Sequence, residues 1–340
     1  MTVQIGIDLG GTKIEIAVLD EQGQCIHRQR QASPSHSYTA ILDTMNALLW
    51  SARQSLNLPA PQVIGIGMPG CLDVHTQLVR GSNTQAMNHQ PLKADLQTLW
   101  GCEVRLENDA NCLALSEAMD GAGADGNVVF AAILGTGCGG GVVVNRQLLG
   151  GRHAIAGEWG HNPLPWPTHE ELDVPPCWCG LKGCLETWLS GTAFAVDHAR
   201  VNGGQRDAIE IIQAMRQGDS AAVKSFERYI DRLGRALAQV VNLLDPDCIV
   251  LGGGMSNVQE IYPRVIRQVS GALHGCVAES RLQRPAPNTS SNWVSKSICV
   301  RLCCSAAPLI KKVSSTRSPN VLTLANKTLM WCCASTCATP

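Results

Sequence analysis

The segment from Gly157 to Thr187 constrains the chain more than any other. It holds three cysteines and, at a suitable distance from them, a histidine, in a stretch too short to build a core of its own; the four residues are His161, Cys177, Cys179 and Cys184. Zinc binds three thiolates and one imidazole in tetrahedral geometry. Gly180 and Gly183 let the backbone turn back, so that the last cysteine can join the first two. We predict a structural zinc site; the alternative is three reduced cysteines beside an unrelated histidine.

Two glutamates flank this cluster. Glu158 lies three residues before the histidine, and Glu186 lies two residues after the last cysteine. A zinc ion with four protein ligands has no open position for chemistry, so we expect the site to hold Glu158, His161 and Glu186 in place. The imidazole nitrogen that does not bind metal can hydrogen-bond a ligand hydroxyl. Ordinary solvation of both glutamates at the surface is the alternative.

Length and composition limit the classes of protein that remain. A chain of 340 residues favours two domains, and a 45% hydrophobic composition supplies sizeable cores. The net charge is −1, and no basic stripe precedes Glu279, which argues against nucleic acid or an anionic membrane as partner. No apolar run reaches the roughly 20 residues of a membrane span, and no secretory signal is visible. Sixteen cysteines then indicate reduced thiols and metal ligation in a cytoplasmic protein.

A glycine turn follows the first predicted strand. We predict strands at Val3–Asp8 and Ile14–Leu19, joined by a tight turn. Adjacent glycines bring backbone N–H groups together, and such a concavity suits phosphate oxygens. The turn also carries a hydroxyl, a positive charge and a carboxylate that could hold magnesium through water; its candidate ligands are Asp8, Gly10, Gly11, Thr12 and Lys13. A glycine hairpin without a ligand is the alternative.

The same pattern recurs later in the chain. Val128–Leu134 predicts a strand, residues 135–141 a glycine-rich turn, and Val142–Val144 a return strand. The recurrence indicates duplicated halves that face each other across a cleft, each with one phosphate-binding turn. A third glycine turn, Gly252–Ser256, follows the predicted strand Cys248–Leu251 and suits part of a nucleotide.

Polar residues follow the predicted strand Val104–Leu106. Glu107–Asn111 stands at its carboxyl end, where α/β sheets bind ligands, and a helix is predicted at Cys112–Met119. Asp109 is the candidate general base, although a helix N-cap would also explain an aspartate there. Further patterns predict a strand at residues 63–68 and helices at residues 39–56, 191–201, 208–217 and 220–244.

Together these segments resemble the ROK sugar kinases, a family that joins repressors, unassigned frames and kinases. The resemblance extends from Val3 to about residue 280. The histidine–cysteine stretch is specific to the family, whereas the glycine turns are shared with the wider actin-like ATPase superfamily. Within the family, Trp159–Trp166 resembles fructokinases of the manno(fructo)kinase type more than N-acetylglucosamine kinases or glucokinases.

The resemblance implies an α/β chain with a two-domain, actin-like (ribonuclease-H-like) ATPase fold and an active-site cleft between the domains. It divides the chain into an N-terminal α/β domain at residues 1–119 and a larger α/β domain with the zinc loop at residues 120–285. It implies that ATP and magnesium are used to phosphorylate a hexose 6-hydroxyl, D-fructose first, with N-acetylglucosamine kinase or glucokinase activity as the alternative. A homodimer is left open.

The resemblance also implies residue roles. Asp109 would take the hydroxyl proton. The implied sugar ligands are Asn83, Asn108, Asp109, Glu158, His161 and Glu186. The implied phosphate and magnesium ligands are Asp8, Gly10, Gly11, Thr12, Lys13, Gly135, Thr136 and Gly137. The residues implied to border the adenosine are Gly252, Gly253 and Gly254.

The end of the chain departs from the family pattern. The family's His-Gly-Asp-x-x-Gly-x-Arg-Gly-Ala-Ala stretch is missing, and no Asp or Glu follows Glu279. We therefore expect residues 286–340 to be an atypical, disordered tail produced by a frameshift. A second metal module is the alternative, but Cys303 and Cys304 are adjacent and lack the usual gap between zinc ligands.

Two non-enzymatic functions are alternatives to a kinase. A regulator of this family would carry a helix-turn-helix before the first glycine turn, and the strand predicted from Val3 leaves no room for one. A non-catalytic sugar-binding protein requires that the altered tail abolishes ATP use. Turnover of ATP with a hexose distinguishes that protein from a kinase.

Overall fold

A computed structural model describes residues 3–173 and 175–272 and the backbone of residues 299–301. The described chain divides into two compact units. Residues 3–116 and 150–156 belong to the first unit, and residues 117–149 and 157–272 belong to the second. The expectations for most of the tail lie outside the described residues. No helix in the described part of the chain is long and apolar enough to cross a membrane.

The first unit is built on a five-stranded mixed sheet with strand order β3-β2-β1-β4-β7. A separate two-stranded sheet is formed by β5 and β6. The elements, in chain order, are β1 (Gln4–Leu9), β2 (Lys13–Leu19), β3 (Cys25–Ala32), α1 (Tyr38–Leu56), β4 (Val63–Met68), β5 (Cys71–Leu72), β6 (Val79–Arg80), α2 (Leu92–Trp100), β7 (Glu103–Asn108) and α3 (Asp109–Met119), which continues into the second unit.

Helix α1 covers the core of this unit. Its buried residues recur at helical spacing and form one apolar stripe, namely Ile41, Met45, Leu48, Leu49 and Ala52. The hydroxyl of Ser37 accepts a hydrogen bond from the backbone N–H of Ala40 and caps the start of the helix. The left-handed φ of 50° at Asn57 ends it. The helix predicted at residues 39–56 is confirmed.

Strand β3 was not predicted from the sequence. Its side chains are mostly polar, because it lies at the edge of the sheet beside β2. Glu15 of β2 is buried and receives hydrogen bonds from Arg28 and Arg30 of β3, at 2.6 and 2.5 Å. This pairing of a buried carboxylate with two arginines of the neighbouring strand positions β3. The strand lacks the alternation of apolar and polar residues by which a sequence predicts a half-buried strand.

The second unit contains another five-stranded sheet, with order β10-β9-β8-β11-β12. Its elements, in chain order, are β8 (Val128–Leu134), β9 (Cys138–Val144), β10 (Gln147–Leu148), α4 (Glu186–Leu189), α5 (Gly191–Asn202), α6 (Ala208–Arg216), α7 (Ser220–Leu244), β11 (Cys248–Gly252), α8 (Ile261–Ala272) and β12 (Cys299–Arg301).

Helix α7 crosses the core of the second unit. Its large buried side chains include Phe226, Tyr229 and Leu233. Gly234 lies within the helix at a point where α8 packs closely: a Cβ at this position would lie 2.3 Å from the Cβ of Gln268. The helix ends at Asp245, whose φ is 42°. The helix predicted at residues 220–244 is confirmed.

The sheets share the predicted recurrence. In each, an antiparallel meander of three strands is joined by a later strand parallel to the first: β4 beside β1, and β11 beside β8. In the first sheet the fifth strand, β7, is parallel to β4, whereas β12 is antiparallel to β11. The expectation of two similar α/β halves is confirmed at the level of strand order.

The predicted turn at residues 135–141 is wrong beyond Gly137. Strand β9 begins at Cys138, and residues 138–141 pair with β8. Glycine occurs there because another segment packs against the strand. A Cβ on Gly140 would lie 2.8 Å from both the carbonyl oxygen of Gly157 and Cδ1 of Trp159. Glycine thus marks a close approach of backbone rather than a turn.

Candidate active site and metal centre

The first unit gathers several predicted site residues at one edge of its sheet. Strands β1, β4 and β7 are parallel, and their register aligns Asp8 with Gly67 and Gly67 with Glu107. The carboxyl ends of these strands therefore meet at one edge, the usual ligand-binding edge of an α/β sheet. Asp8 and Asn108 both lie at this edge, and Asp8 is buried.

The turn after β1 packs tightly. The N–H of Gly10 donates to the carbonyl of Lys13 at 2.9 Å, and a Cβ on Gly10 would lie 3.0 Å from that oxygen. A Cβ on Gly11 would lie 3.2 Å from the hydroxyl of Thr84 and 3.9 Å from Oδ1 of Asn83. The predicted phosphate turn and the predicted sugar ligand Asn83 are therefore neighbours. Thr12 is exposed in the same turn.

The charge of Lys13 is set by its surroundings. Burial lowers the pKa of Lys13, the positive charge of Arg30 lowers it further, and Asp8 opposes the shift. An anion bound at the turn would favour the protonated lysine, because an opposite charge stabilises the charged form.

Asn108 organises the start of α3. Its Oδ1 accepts hydrogen bonds from the backbone N–H groups of Ala110 and Asn111, at 2.9 and 3.2 Å. Its Nδ2 donates to the carbonyl of Gly70 at 3.1 Å, which ties the end of β7 to the turn after β4. Asp109 is the first residue of the helix and half-buried. The helix predicted at residues 112–119 thus begins three residues earlier.

The second unit brings together the four predicted metal ligands. The donor atoms of His161, Cys177, Cys179 and Cys184 all lie within 4.8 Å of one another. The Sγ atoms of Cys179 and Cys184 are 3.7 Å apart, and Sγ of Cys177 is 3.6 Å from Nδ1 of His161. Two thiolates bound to one tetrahedral zinc ion at about 2.3 Å lie about 3.8 Å apart. The ligand types and separations therefore fit such an ion.

Local backbone geometry explains how the cysteines meet. Gly180 and Gly183 have φ values of +90° and +72°, in the left-handed region that favours glycine. The N–H of Cys177 donates to the carbonyl of Leu181 at 2.8 Å, which closes the loop. The two turns that the sequence predicted from Gly180 and Gly183 are confirmed.

His161 is positioned by the two residues before it. Trp159 donates its indole N–H to the carbonyl of Gly139 at 2.7 Å and packs edge-on against Phe130. Gly160 approaches β9 so closely that any Cβ would collide with the carbonyl of Cys138. The short 3₁₀ helix Trp159–His161 is therefore fixed on the sheet, and the imidazole orientation follows from it.

Glu158 and Glu186 lie in the same part of the unit. Burial raises the pKa of Glu158; the negative charge of Glu186 adds to the shift, and His161 opposes it. Oε2 of Glu186 accepts the backbone N–H of Cys138 at 2.9 Å, and Oε1 accepts the indole N–H of Trp178 at 2.6 Å. Solvation of both glutamates at the surface is therefore not what the structure shows.

Three glycine positions meet beside these residues. The N–H of Gly191, the first residue of α5, donates to the carbonyl of Gly135 at 2.7 Å. A Cβ on Gly253 would lie 2.6 Å from the carbonyl oxygen of Leu134 and 2.8 Å from the nitrogen of Gly135. The second and third predicted glycine turns, including Thr136 and Gly252–Gly254, therefore lie against each other.

The sequence did not single out Trp178. It stands between two of the predicted metal ligands, half of its surface is exposed, and its ring lies edge-on to that of His161, with centroids 5.1 Å apart. Its position between Cys177 and Cys179 was the available signal, since a side chain there must leave the cluster.

Comparison with known proteins assigns the family. The model of the ROK family matches residues 4–292. The chain belongs to the ROK family. The N-acetyl-D-glucosamine kinase of Vibrio cholerae is 37% identical over 268 residues, which cover 78% of this chain and 88% of that protein. The enzyme of the same name from Yersinia enterocolitica is 39% identical over 268 residues, with the same coverage.

Solved structures of ROK proteins share the fold. A ROK family glucokinase from Streptomyces griseus, in complex with glucose and AMPPNP, is 31% identical, with a TM-score of 0.69 over 81% of this chain and 90% of that chain. A ROK hexokinase from Thermus thermophilus is 28% identical, with the same TM-score and coverage. The predicted fold class, a two-domain actin-like α/β ATPase fold, is confirmed.

Proposed function

We propose that this ROK family chain is an ATP-dependent sugar kinase that phosphorylates the 6-hydroxyl of N-acetylglucosamine. The arrangement of His161 with the two flanking glutamates, Glu158 before the predicted metal ligands and Glu186 after them, beside the glycine turn at Gly135–Gly137, carries the proposal. It places three polar side chains suited to sugar hydroxyls next to backbone N–H groups suited to phosphate. The relatives reported above favour N-acetylglucosamine over the fructose expected from the sequence.

The reaction requires a base, aligned reactants and neutralised phosphate charge. Phosphoryl transfer involves little covalent chemistry by the protein, so positioning and electrostatics dominate. We assign the base to Asp109, which would take the proton of the attacking 6-hydroxyl. Its place at the first position of α3, after the Asn108 cap, fixes its backbone.

Phosphate and magnesium ligands are proposed in each unit. In the first, Gly10, Gly11, Thr12 and Lys13 offer N–H groups, a hydroxyl and a positive charge, and Asp8 offers a carboxylate. In the second, Gly135, Thr136 and Gly137 offer a further turn, and Gly252–Gly254 would border the adenosine. Magnesium, when bound, neutralises charge on the transferring phosphate.

Sugar binding is assigned to Asn83, Asn108, Asp109, Glu158, His161 and Glu186. Nδ1 of His161 faces the thiol of Cys177, so a metal bound by this nitrogen leaves Nε2 to hydrogen-bond a sugar hydroxyl. Burial raises the pKa of Glu158, and its carboxylate oxygens can accept hydrogen bonds from sugar hydroxyls. We assign the metal as zinc with a structural role, since four protein ligands leave it no open position.

Fructose is the second candidate substrate. The stretch Trp159–Trp166 resembles fructokinases of the manno(fructo)kinase type, and it includes His161. Residues beside a substrate-binding histidine are well placed to select among hexoses. The resemblance of this stretch favours fructose, whereas the relatives that match most of the chain favour N-acetylglucosamine.

The experiment is to incubate the purified chain with ATP, magnesium and each hexose and to identify the product by NMR. We expect a new phosphate ester at C6 of N-acetylglucosamine. A fructose 6-phosphate product without phosphorylation of N-acetylglucosamine would assign the chain to the second candidate. Sugar binding without ATP turnover would identify the non-catalytic alternative and refute the kinase assignment.

A further inference from the structure

Trp178 joins the metal-binding loop, residues 161–184, to Glu186, which lies just outside that loop. Its backbone lies between the ligands Cys177 and Cys179, while its indole N–H donates to Oε1 of Glu186 at 2.6 Å. Its ring lies at 83° to the ring of His161. Half of the side-chain surface is exposed, so core packing does not explain the presence of tryptophan here. A hydrogen bond to a carboxylate is among the stronger ones available to a neutral donor.

Glu186 continues this connection to the glycine turn. Its other oxygen, Oε2, accepts the backbone N–H of Cys138 at 2.9 Å, directly after the turn. The carboxylate approaches so closely that a Cβ on Gly137 would lie 2.7 Å from Oε2. One carboxylate therefore bridges the indole of Trp178 and the end of the turn.

We propose that Trp178 is a positioning residue that couples the metal-binding loop to the turn at Gly135–Gly137 through the carboxylate of Glu186. The indole N–H holds one carboxylate oxygen, so that the other stays on the N–H of Cys138 and fixes the turn. The order of the loop then sets the affinity for phosphate groups as well as for sugar. This role rests on the proposed function, because it assigns the phosphate to the turn and the sugar to Glu186.

The test compares Trp178→Phe with a matched control. Phenylalanine retains an aromatic ring beside His161 but removes the N–H donor. Trp50→Phe is the control, because Trp50 lies on α1, away from the proposed sugar and phosphate ligands, and is likewise 55% exposed. Calorimetry measures the affinities for AMPPNP, for adenosine and for the sugar that the wild type phosphorylates. Elemental analysis measures bound zinc, and thermal unfolding gives the midpoint.

We expect Trp178→Phe to weaken AMPPNP and sugar binding by roughly three- to tenfold, the range for one lost hydrogen bond. Adenosine affinity, zinc content and the unfolding midpoint stay at wild-type values, and Trp50→Phe behaves as wild type throughout. If Trp178→Phe and the control bind AMPPNP with equal affinity, the proposed coupling between the loop and the glycine turn is overturned. Loss of zinc, or equal weakening of adenosine, also overturns it, because either result indicates general loosening of the loop.

Failure of the proposed function gives a different result. In that case the wild-type protein itself phosphorylates no hexose with ATP, and the role of Trp178 falls with it. If the wild type binds and phosphorylates its sugar while Trp178→Phe matches it, only the coupling is refuted.

Discussion

Asn108 caps helix α3, and Asp109 is the first residue of that helix. Asn108 rather than Asp109 therefore occupies the N-cap position, and Oδ1 of Asp109 also accepts the N–H of Ala110 at 2.8 Å. The cap fixes the backbone at the carboxyl end of β7, and the bond from Nδ2 of Asn108 to Gly70 ties it to the adjacent strand end. Asp109 is thus held on a rigid element, as a catalytic base requires.

Replacement of Asp109, the proposed base, should affect turnover more than binding. We expect Asp109→Asn to lower kcat by roughly 10² or more, the usual scale for a positioned general base. Sugar affinity should change little, because asparagine keeps the shape and one oxygen. Asp43→Asn, at an exposed position on α1, is the control and should leave kcat near the wild-type value. Near-normal turnover in Asp109→Asn would remove this residue from the mechanism.

The metal cluster predicts one zinc ion per chain. Elemental analysis should find it in the wild type and in Cys102→Ser, whose thiol lies outside the cluster. Cys179→Ser should lose most of the metal because serine is a poor zinc ligand. Chelation should also weaken sugar affinity, since the loop that carries His161 would lose its closure. Absence of zinc, or retention of it in Cys179→Ser, would contradict the ligand assignment.

The cysteine spacing allowed the grouping of His161, Cys177, Cys179 and Cys184 to be predicted from the sequence. Apolar runs such as Val63–Met68 likewise gave buried strands at their observed positions. The polar strand β3 could not be found in this way, because its register depends on the buried charge of Glu15. The sequence predicted that Gly140 lies in a turn. Glycine is needed there because Gly157 and Trp159, which are distant in sequence, pack against it.

That close packing gives a stability prediction. Gly140→Ala would place a methyl group 2.8 Å from the carbonyl oxygen of Gly157 and from the Trp159 ring, and 3.0 Å from Phe130. We expect a loss of about 1–3 kcal/mol in the free energy of unfolding, typical of overpacking. Gly150→Ala is the control, since nothing lies within 4 Å of the added atom. Denaturant unfolding measures the stability of both variants. Equal stability of Gly140→Ala and Gly150→Ala would contradict the close packing around Gly140.

A buried ion cluster gives a pH prediction. Glu171 accepts hydrogen bonds from Arg232 at 2.7 Å and from Arg235 at 2.9 Å, and Arg232 also pairs with Asp197 at 3.1 Å. Burial acts to raise the pKa of Glu171, but the hydrogen bonds from Arg232, from the Thr168 N–H and from Arg235 outweigh it, so the pKa is lowered from 4.5. The folded state therefore favours the ionised carboxylate more than the unfolded state does.

The sign follows from this lowered pKa. The stabilisation from the ionised Glu171 is fully present above about pH 4.5. It is lost as the pH falls through the lower pKa that Glu171 has in the folded state. At pH 7, Glu171→Gln should cost roughly 3 kcal/mol, because it breaks a buried pair. The difference in free energy of unfolding between the wild type and Glu171→Gln should shrink as the pH is lowered. Glu103→Gln, at an exposed pair with Arg105, should change stability little at either pH. A gap that does not depend on pH would contradict the assignment.

The most direct test of the proposed activity is the wild-type kcat/KM for ATP-dependent phosphorylation of N-acetylglucosamine, fructose, mannose and glucose under one set of conditions. A ROK family kinase with the proposed site should turn over at least one of these hexoses only in the presence of both ATP and magnesium. We predict the highest kcat/KM for N-acetylglucosamine. Turnover of none of the four sugars would contradict the account.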